Sequence, residues 1–209
     1  MDQYVYKITN DDGGAPCVHD GVLSLAICKP RVRVPAGTFD WVFGFGGVGL
    51  GEKLIYIAEV TKKARHGDYY REAEYEGRPD RIYAWKGDFL RCLPNPYHPD
   101  GKWAHLDIGE RPNYERAEVL LSTNFRYFGR TGTADYKERY PAIRALVEAL
   151  RRGERIHHTP QLKRELKELR LEVWRDYPDR TVLGEHHTPE ECGVCPPNDD
   201  ENDVAQIAE

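Results

Sequence analysis

The sequence has 209 residues, of which 40% are hydrophobic and 31% are charged, and its formal net charge is −5 at pH 7. This length and composition predict a globular protein with a substantial core, and the acidic balance provides no overall attraction to nucleic acid. No basic and apolar leader is visible and no apolar run approaches the roughly 18 residues of a membrane span, so we expect a cytoplasmic protein without a membrane partner.

The chain begins with a predicted strand and a polar turn. Residues 4–9 alternate β-forming side chains, and residues 10–14 then supply two aspartates and two glycines. The carboxylate of Asp12 could serve in catalysis or hold a cation. The turn preferences of these residue types favour a local Asx turn instead.

An apolar segment at residues 22–28 is followed by a cluster of cations. The segment is too short for periodicity to separate a buried strand from a turn of buried helix. Lys29, Arg31 and Arg33 then place three cations within five residues around a proline. Because arginine contacts phosphate through paired hydrogen bonds, the cluster predicts an anion site, with a solvated charged turn as the alternative.

Residues 39–61 predict a β-hairpin with a glycine-rich turn, since both arms are rich in aromatic and β-branched residues. The turn contains a spacing similar to GxGxxG, but a predicted strand follows it where a dinucleotide-binding fold requires a helix. Trp41 lies in the first arm, where it belongs either to a ligand pocket or to the core.

Two loops in the middle of the chain are candidates for function. Residues 92–102 form a long, proline-rich loop that contains Asn95 and His98, and long loops in compact domains are often functional. The predicted buried strand at residues 117–122 leads into aromatic residues interleaved with arginines, among them Phe125, Arg126, Tyr127 and Phe128. The aromatic rings could stack on a nucleobase while the arginines contact a neighbouring phosphate. Alternatively, the aromatic side chains complete the hydrophobic core.

Two amphipathic helices are predicted towards the C-terminus. Residues 136–152 carry apolar residues at helical spacing, and residues 160–177 repeat the pattern after Thr159, a natural N-cap. We expect both helices to pack on the sheet. Their basic faces could contact nucleic acid, although charged helix faces usually meet water.

The end of the chain contains a CxxC motif, formed by Cys192 and Cys195, after His187. One such motif is half of a common zinc pattern, which predicts a structural zinc as the only candidate cofactor, and His157, His158 or Cys92 could complete the ligands. Unligated thiols in a loose, acidic tail are the alternative. The five cysteines do not form a disulfide framework, in keeping with a reducing compartment.

Short motifs in a fixed order resemble the nucleotide-modification-associated domain family, second type. The motifs are DGGAP at residues 12–16, LSLAICKPRVR, FDWVFGFG, KLIYIAEVT, PDRIY, VLLS and FRYFG. The resemblance covers residues 4–132 and implies a protein of phage or bacterial DNA base-hypermodification systems. It also implies an α+β fold with a PUA-like mixed β-barrel at residues 1–132. The patterns described above add helices packed on it at 133–182 and a Cys/His segment with an acidic, disordered tail at 183–209.

Under the resemblance, the first functional hypothesis is recognition or processing of a modified nucleobase or nucleotide, free or in DNA. Its binding residues would be Cys28, Lys29, Arg31, Arg33, Trp41, Asn95, Ser122, Phe125, Arg126, Tyr127 and Phe128. A second hypothesis is a transferase or hydrolase with Asp12, Asp80 and His98 as acid–base candidates and Cys28 as a possible nucleophile. A third is a non-catalytic partner in a phage or defence complex, with the helices as the interface and other base-modification proteins as candidate partners.

Overall fold

The computed structural model describes residues 1–99, 101–179 and 181–188. The strands in chain order are β1 (Gln3–Ile8), β2 (Cys17–His19), β3 (Val22–Leu25), β4 (Trp41–Gly46), β5 (Leu54–Glu59), β6 (Lys62–Ala64), β7 (Tyr83–Lys86), β8 (Phe89–Cys92), β9 (Val119–Ser122), β10 (Asn124–Tyr127) and β11 (Glu154–Arg155). The helices are α1 (Pro30–Arg33), α2 (Ala104–Ile108), α3 (Tyr136–Arg139), α4 (Pro141–Ala149) and α5 (Pro160–Asp176). The fold is therefore mixed α+β.

The largest sheet has the strand order β10-β5-β4-β1-β11, with β1 and β4 parallel and the other pairs antiparallel. The pairing of β4 with β5 confirms the predicted hairpin, and a short 3₁₀ turn at Val48–Leu50 fills its glycine-rich connection. A second sheet has the order β2-β3-β9-β6, and β7 pairs with β8 alone.

Alternation along β1 and β4 divides the core into layers. Tyr4, Tyr6 and Ile8 face the second sheet, whereas Val5 and Phe43 face α4 and α5. Strand side chains point to opposite faces in turn, so a strand that is buried on both sides is apolar throughout. The two C-terminal helices thus cover one face of the largest sheet, and the second sheet covers the other.

The predicted closed PUA-like barrel is not seen among the described residues. The chain leaves the second sheet at β9 and enters the largest sheet at β10, where β10 forms one edge. The opposite edge is β11, which has only two residues. No hydrogen-bonded ladder joins the two edges of the largest sheet in this part of the chain, so the sheet stays open.

One predicted helix is broken. Residues 136–152 form α3 and α4, which are separated at Tyr140. Pro141 follows, and proline disfavours helical geometry at the preceding residue and lacks an N–H. None of the helices in the described part of the chain is long and apolar enough to cross a membrane.

The N-cap of α5 allows a stability prediction. The Thr159 side chain accepts a hydrogen bond from the Leu162 amide at 3.2 Å, as the sequence predicted. We expect Thr159→Ala to lower the free energy of unfolding by about 1 kcal/mol in urea denaturation, because the amide loses its partner. Thr38→Ala, at an exposed threonine, is the matched control, and equal stabilities for the two variants would contradict the role of the cap.

Candidate active site

Cys28 lies at a strained turn between β3 and α1. Its φ angle is 57° and that of Lys29 is 45°, so two consecutive non-glycine residues are in the left-handed region. Such residues cost about 1–3 kcal/mol each and persist only where the surroundings hold them. A strand–turn–helix with a strained central residue is also how some hydrolases present a nucleophile.

Arg33 holds this turn from inside the protein. Its side chain is fully buried, and Nε donates to the Cys28 carbonyl at 2.5 Å. Nη1 donates to the carbonyls of Arg116 and Glu118 at 2.7 and 2.6 Å, and Nη2 donates to the Asp107 carbonyl at 2.8 Å. Because its donors meet backbone carbonyls and it has no exposure, Arg33 stabilises the site and is not placed to contact phosphate.

The Cys28 side chain faces His98, and His98 faces Asp107. The distance from Cys28 Sγ to His98 Nε2 is 3.6 Å, and His98 Nδ1 lies 2.7 Å from Asp107 Oδ2. The other oxygen, Asp107 Oδ1, accepts a hydrogen bond from the Cys28 amide at 2.6 Å. The three residues form the arrangement of nucleophile, base and orienting carboxylate that covalent catalysis uses.

The loop that carries His98 is held by Asn95. Asn95 Oδ1 accepts from the amides of Tyr97 and His98 at 3.0 and 2.6 Å, and Nδ2 donates to the Leu93 carbonyl at 2.8 Å. The amide group of Asn95 is thus used to shape the loop, although the sequence suggested it for nucleotide binding. The ring of Trp103 lies beside His98, with 6.3 Å between the ring centroids.

The electrostatics favour a charged His98. Burial by itself lowers the pKa of His98, but the hydrogen bonds and charges of Asp107 and Cys28 outweigh burial and raise the pKa to about 10. The imidazolium form therefore dominates at neutral pH. Reactive cysteines are typically found beside a cation of this kind, and the thiolate is the form of cysteine that reacts.

Tyr83 also supports the Cys28–His98 pair, through a hydrogen bond to Asp107. Its hydroxyl donates to Asp107 Oδ2 at 2.8 Å, the same oxygen that receives His98 Nδ1. Burial and the charge of Asp107 raise the pKa of Tyr83, so it remains a neutral donor. Asp107 and Tyr83 were missed in the sequence, since one aspartate and one tyrosine without a motif give no signal before the fold brings them to His98.

The other two predicted acid–base residues lie elsewhere. Asp12 Oδ1 accepts from the Gly14 amide at 3.1 Å, which is the Asx turn that its residue type favoured. Asp80 is fully buried and accepts from Ser24 Oγ at 2.5 Å and from Tyr69 at 2.6 Å, with Arg78 Nε at 3.5 Å. Because these hydrogen bonds satisfy the buried carboxylate, we assign Asp80 a structural role.

The aromatic residues suggested for a base pocket are divided between two core layers. Phe125 and Tyr127 pack between the sheets, while Trp41 and Phe128 pack on the helix side. Trp41 meets Trp174 edge to face at 5.2 Å, and all four of the suggested aromatics are buried. This placement corresponds to the alternative interpretation, in which they close the core.

The remaining polar candidates have identified contacts. Lys29 Nζ donates to the Arg152 carbonyl at 2.5 Å, and the exposed Arg31 pairs with Glu154 at 3.3 Å. Arg126 is buried, donates to the carbonyls of Tyr177 and Pro178, and lies over the Trp174 ring. Ser122 Oγ accepts from the Asn124 amide at 3.1 Å. Of these, Lys29 and Arg31 lie nearest to Cys28 in the chain.

The predicted zinc site is only partly within the described residues. His187 Nδ1 lies 3.0 Å from Asp11 Oδ2, whereas Cys192 and Cys195 lie outside the described residues. Within residues 1–99, 101–179 and 181–188, no group of three potential ligands is arranged to hold a metal. Zinc binding by the CxxC motif stays a prediction.

Comparison with known proteins identifies the family. The family model described as nucleotide modification associated domain 2 matches residues 1–174, which include Cys28, His98, Asp107 and most of α5. A search of curated proteins and a search of solved structures found no match. The family match spans most of the chain and confirms the resemblance of the motifs. The chain belongs to the nucleotide modification associated domain 2 family.

Proposed function

We propose that the chain is a cysteine-dependent enzyme that acts on a nucleotide or nucleobase in a DNA base-modification system. The observation that supports this most is the 3.6 Å approach of His98 Nε2 to Cys28 Sγ, with Asp107 at 2.7 Å behind the imidazole. The family name, which associates its members with nucleotide modification, supports a nucleotide-related substrate class.

In the proposed reaction the Cys28 thiolate attacks an electrophilic carbon of the substrate. A sulfur–carbon bond forms, the bond to the leaving group breaks, and His98 gives its Nε2 proton to that group. His98 is now neutral and takes a proton from the second nucleophile, which is water or another acceptor. That nucleophile then attacks the same carbon. The sulfur–carbon bond breaks and Cys28 is released as thiolate. The overall reaction is a hydrolysis when the acceptor is water and a group transfer when it is another nucleophile.

The enzyme hypothesis is preferred to a purely base-binding module for a geometric reason. Trp41 and Phe128 lie on one side of the largest sheet and Tyr127 lies on the other, so the suggested stacking set is not gathered in one place. The nucleophile, base and orienting residues, by contrast, meet from three separate segments. A PUA-like base-binding mode remains the alternative that the experiment below distinguishes.

Alkylation of the purified protein by iodoacetamide at pH 6 tests the proposal. We expect Cys28 to react about 10- to 100-fold faster than free cysteine, because a histidine cation beside the sulfur is the setting in which reactive cysteines are found. Peptide mapping by mass spectrometry separates Cys28 from the other cysteines, and the half-buried Cys92 is an internal comparison. Deoxynucleoside monophosphates, tested as a panel, are expected to slow the labelling of Cys28.

The variant His98→Ala is expected to reduce the labelling of Cys28 to the rate of free cysteine, while His105→Ala retains it. His105 is an exposed histidine of the same region, and its Nδ1 contacts the Lys102 carbonyl. Slow labelling of Cys28 in the wild type would exclude the catalytic assignment. Fast labelling that none of the nucleotides slows would exclude the proposed substrate class.

A further inference from the structure

A segment beyond the matched family region returns to the sheet. Residues 181–188, here called the C-terminal strap, lie against the end of β10 and the turn that follows it, with one isolated parallel bridge between Tyr127 and Val182. The Tyr127 amide donates to the Thr181 carbonyl at 2.8 Å, the Leu183 amide donates to the Tyr127 carbonyl at 2.8 Å, and the Arg130 amide donates to the Glu185 carbonyl at 2.9 Å. Backbone hydrogen bonds therefore fix the strap against Tyr127 and the turn after β10, and no ladder beyond the single bridge forms among the described residues.

The end of the strap is fastened to Asp11. The His187 amide donates to the Asp11 carbonyl at 2.7 Å, and His187 Nδ1 lies 3.0 Å from Asp11 Oδ2. Tyr127 donates its hydroxyl to Asp11 Oδ1 at 2.8 Å. Asp11 has no exposure, so the two side-chain contacts satisfy a buried carboxylate that would otherwise be costly, while the His187 amide satisfies the backbone carbonyl.

The loop after Asp11 connects the strap to the loop of His98. A Cβ at Gly13 would lie 3.1 Å from the His186 ring, and a Cβ at Gly14 would lie 2.6 Å from the Tyr97 ring. The loop backbone is thus enclosed between an imidazole on one side and a phenol ring on the other. Only glycine at position 14 allows this approach, and Tyr97 directly precedes His98 in the chain.

We infer that the C-terminal strap positions His98 through the loop at residues 11–14, with His187, Asp11 and Tyr97 as positioning residues. The inference rests on the proposed function, because it assigns the strap to the Cys28–His98 pair. A base that is displaced by about 1 Å loses much of its effect, so a support that fixes the His98 loop contributes directly to reactivity. The strap supplies that support from outside the region shared with the family.

The test measures iodoacetamide labelling of Cys28 as a function of pH, together with the NMR signals of the His98 ring. We expect His187→Ala to slow the labelling about tenfold at pH 6 and to shift the His98 ring signals. His187→Asn retains an N–H donor in the place of Nδ1, so it should restore both readouts. His157→Ala removes an exposed histidine elsewhere and is the matched control.

A second variant tests the contact between Gly14 and Tyr97, and its outcome does not depend on whether His187→Ala folds. Gly14→Ala introduces the methyl group that meets Tyr97, and its backbone angle is one that alanine adopts. We expect the same slower labelling and shifted His98 signals. Wild-type rates and unshifted signals in both Gly14→Ala and His187→Ala would overturn the inference, as would failure of folded His187→Asn to restore them.

The two proposals fail separately. If Cys28 of the wild type reacts no faster than free cysteine, the proposed function fails, but the His98 ring signals still report whether the strap positions the imidazole. If the wild type reacts fast and the strap variants react equally fast with unshifted His98 signals, the proposed function stands and the strap has no part in positioning.

Discussion

Arg33→Met is expected to lower the free energy of unfolding by about 3–5 kcal/mol, the largest stability effect that we predict for one side chain. The guanidinium is fully buried and donates to four backbone carbonyls, of Cys28, Asp107, Arg116 and Glu118. Methionine fills a similar volume but donates nothing, so these carbonyls lose their partner in a place that water does not reach. Urea denaturation followed by circular dichroism measures the change.

The control for this variant is Arg31→Met, on the same short helix. The Arg31 side chain is 76% exposed and pairs only loosely with Glu154, at 3.3 Å. Surface ion pairs of this kind contribute about 0–1 kcal/mol, so the control should remain close to the wild type. If the two variants were equally stable, Arg33 would have no special part in holding the Cys28 turn.

Asp107→Asn is expected to slow iodoacetamide labelling of Cys28 about 30-fold at pH 7. That factor corresponds to about 2 kcal/mol, which lies within the roughly 1.5–3 kcal/mol that one hydrogen bond to a charged group contributes. Asp107 Oδ1 accepts from the Cys28 amide and Oδ2 accepts from His98 and Tyr83. Asparagine has one oxygen and one NH₂ group, so in either orientation it places a donor against a donor.

The pKa of His98 is the direct readout for this variant. In the wild type it is raised to about 10 against the effect of burial, and hydrogen bonding to Asp107 is the largest opposing cause. A raised histidine pKa stabilises the fold below about pH 6.5, and that contribution is lost as the pH rises through about 10. In Asp107→Asn we expect the pKa of His98 to fall and this pH dependence to shrink.

Asp12→Asn is the matched control, because an Asx turn accepts asparagine as readily as aspartate. It should leave the labelling rate of Cys28 and the pKa of His98 unchanged. An equal rate for Asp107→Asn and the wild type at pH 7 would show that His98 does not depend on its carboxylate partner.

Local features of the fold were predictable from the sequence, and contacts across the chain were not. The β4–β5 hairpin and the Thr159 cap depend on neighbouring residues, so composition and spacing were sufficient. Cys28 meets His98 across 70 positions and Asp107 across 79, and spacing alone carries no such information. The sequence therefore indicated two residues of the site, Cys28 through its motif and His98 through its loop, but not that they are in contact.

Burial explains the other differences between expectation and structure. Arg33 looked like a phosphate ligand because arginine usually lies at the surface, yet here backbone carbonyls surround it. The aromatic run at Phe125, Tyr127 and Phe128 looked like one stacking surface. Strand alternation and the turn after β10 send these side chains into different layers, which composition does not reveal.

The hydrogen bond from the Cys28 amide to Asp107 has a consequence for the transition state. Acyl-transfer enzymes with a backbone oxyanion hole often use the amide of the nucleophile itself to stabilise the developing oxyanion. Here that N–H is engaged by Asp107 Oδ1 at 2.6 Å. A reaction that places negative charge on a carbonyl oxygen must therefore draw its stabilising donors from elsewhere around the sulfur, whereas displacement at a saturated carbon needs no such donor.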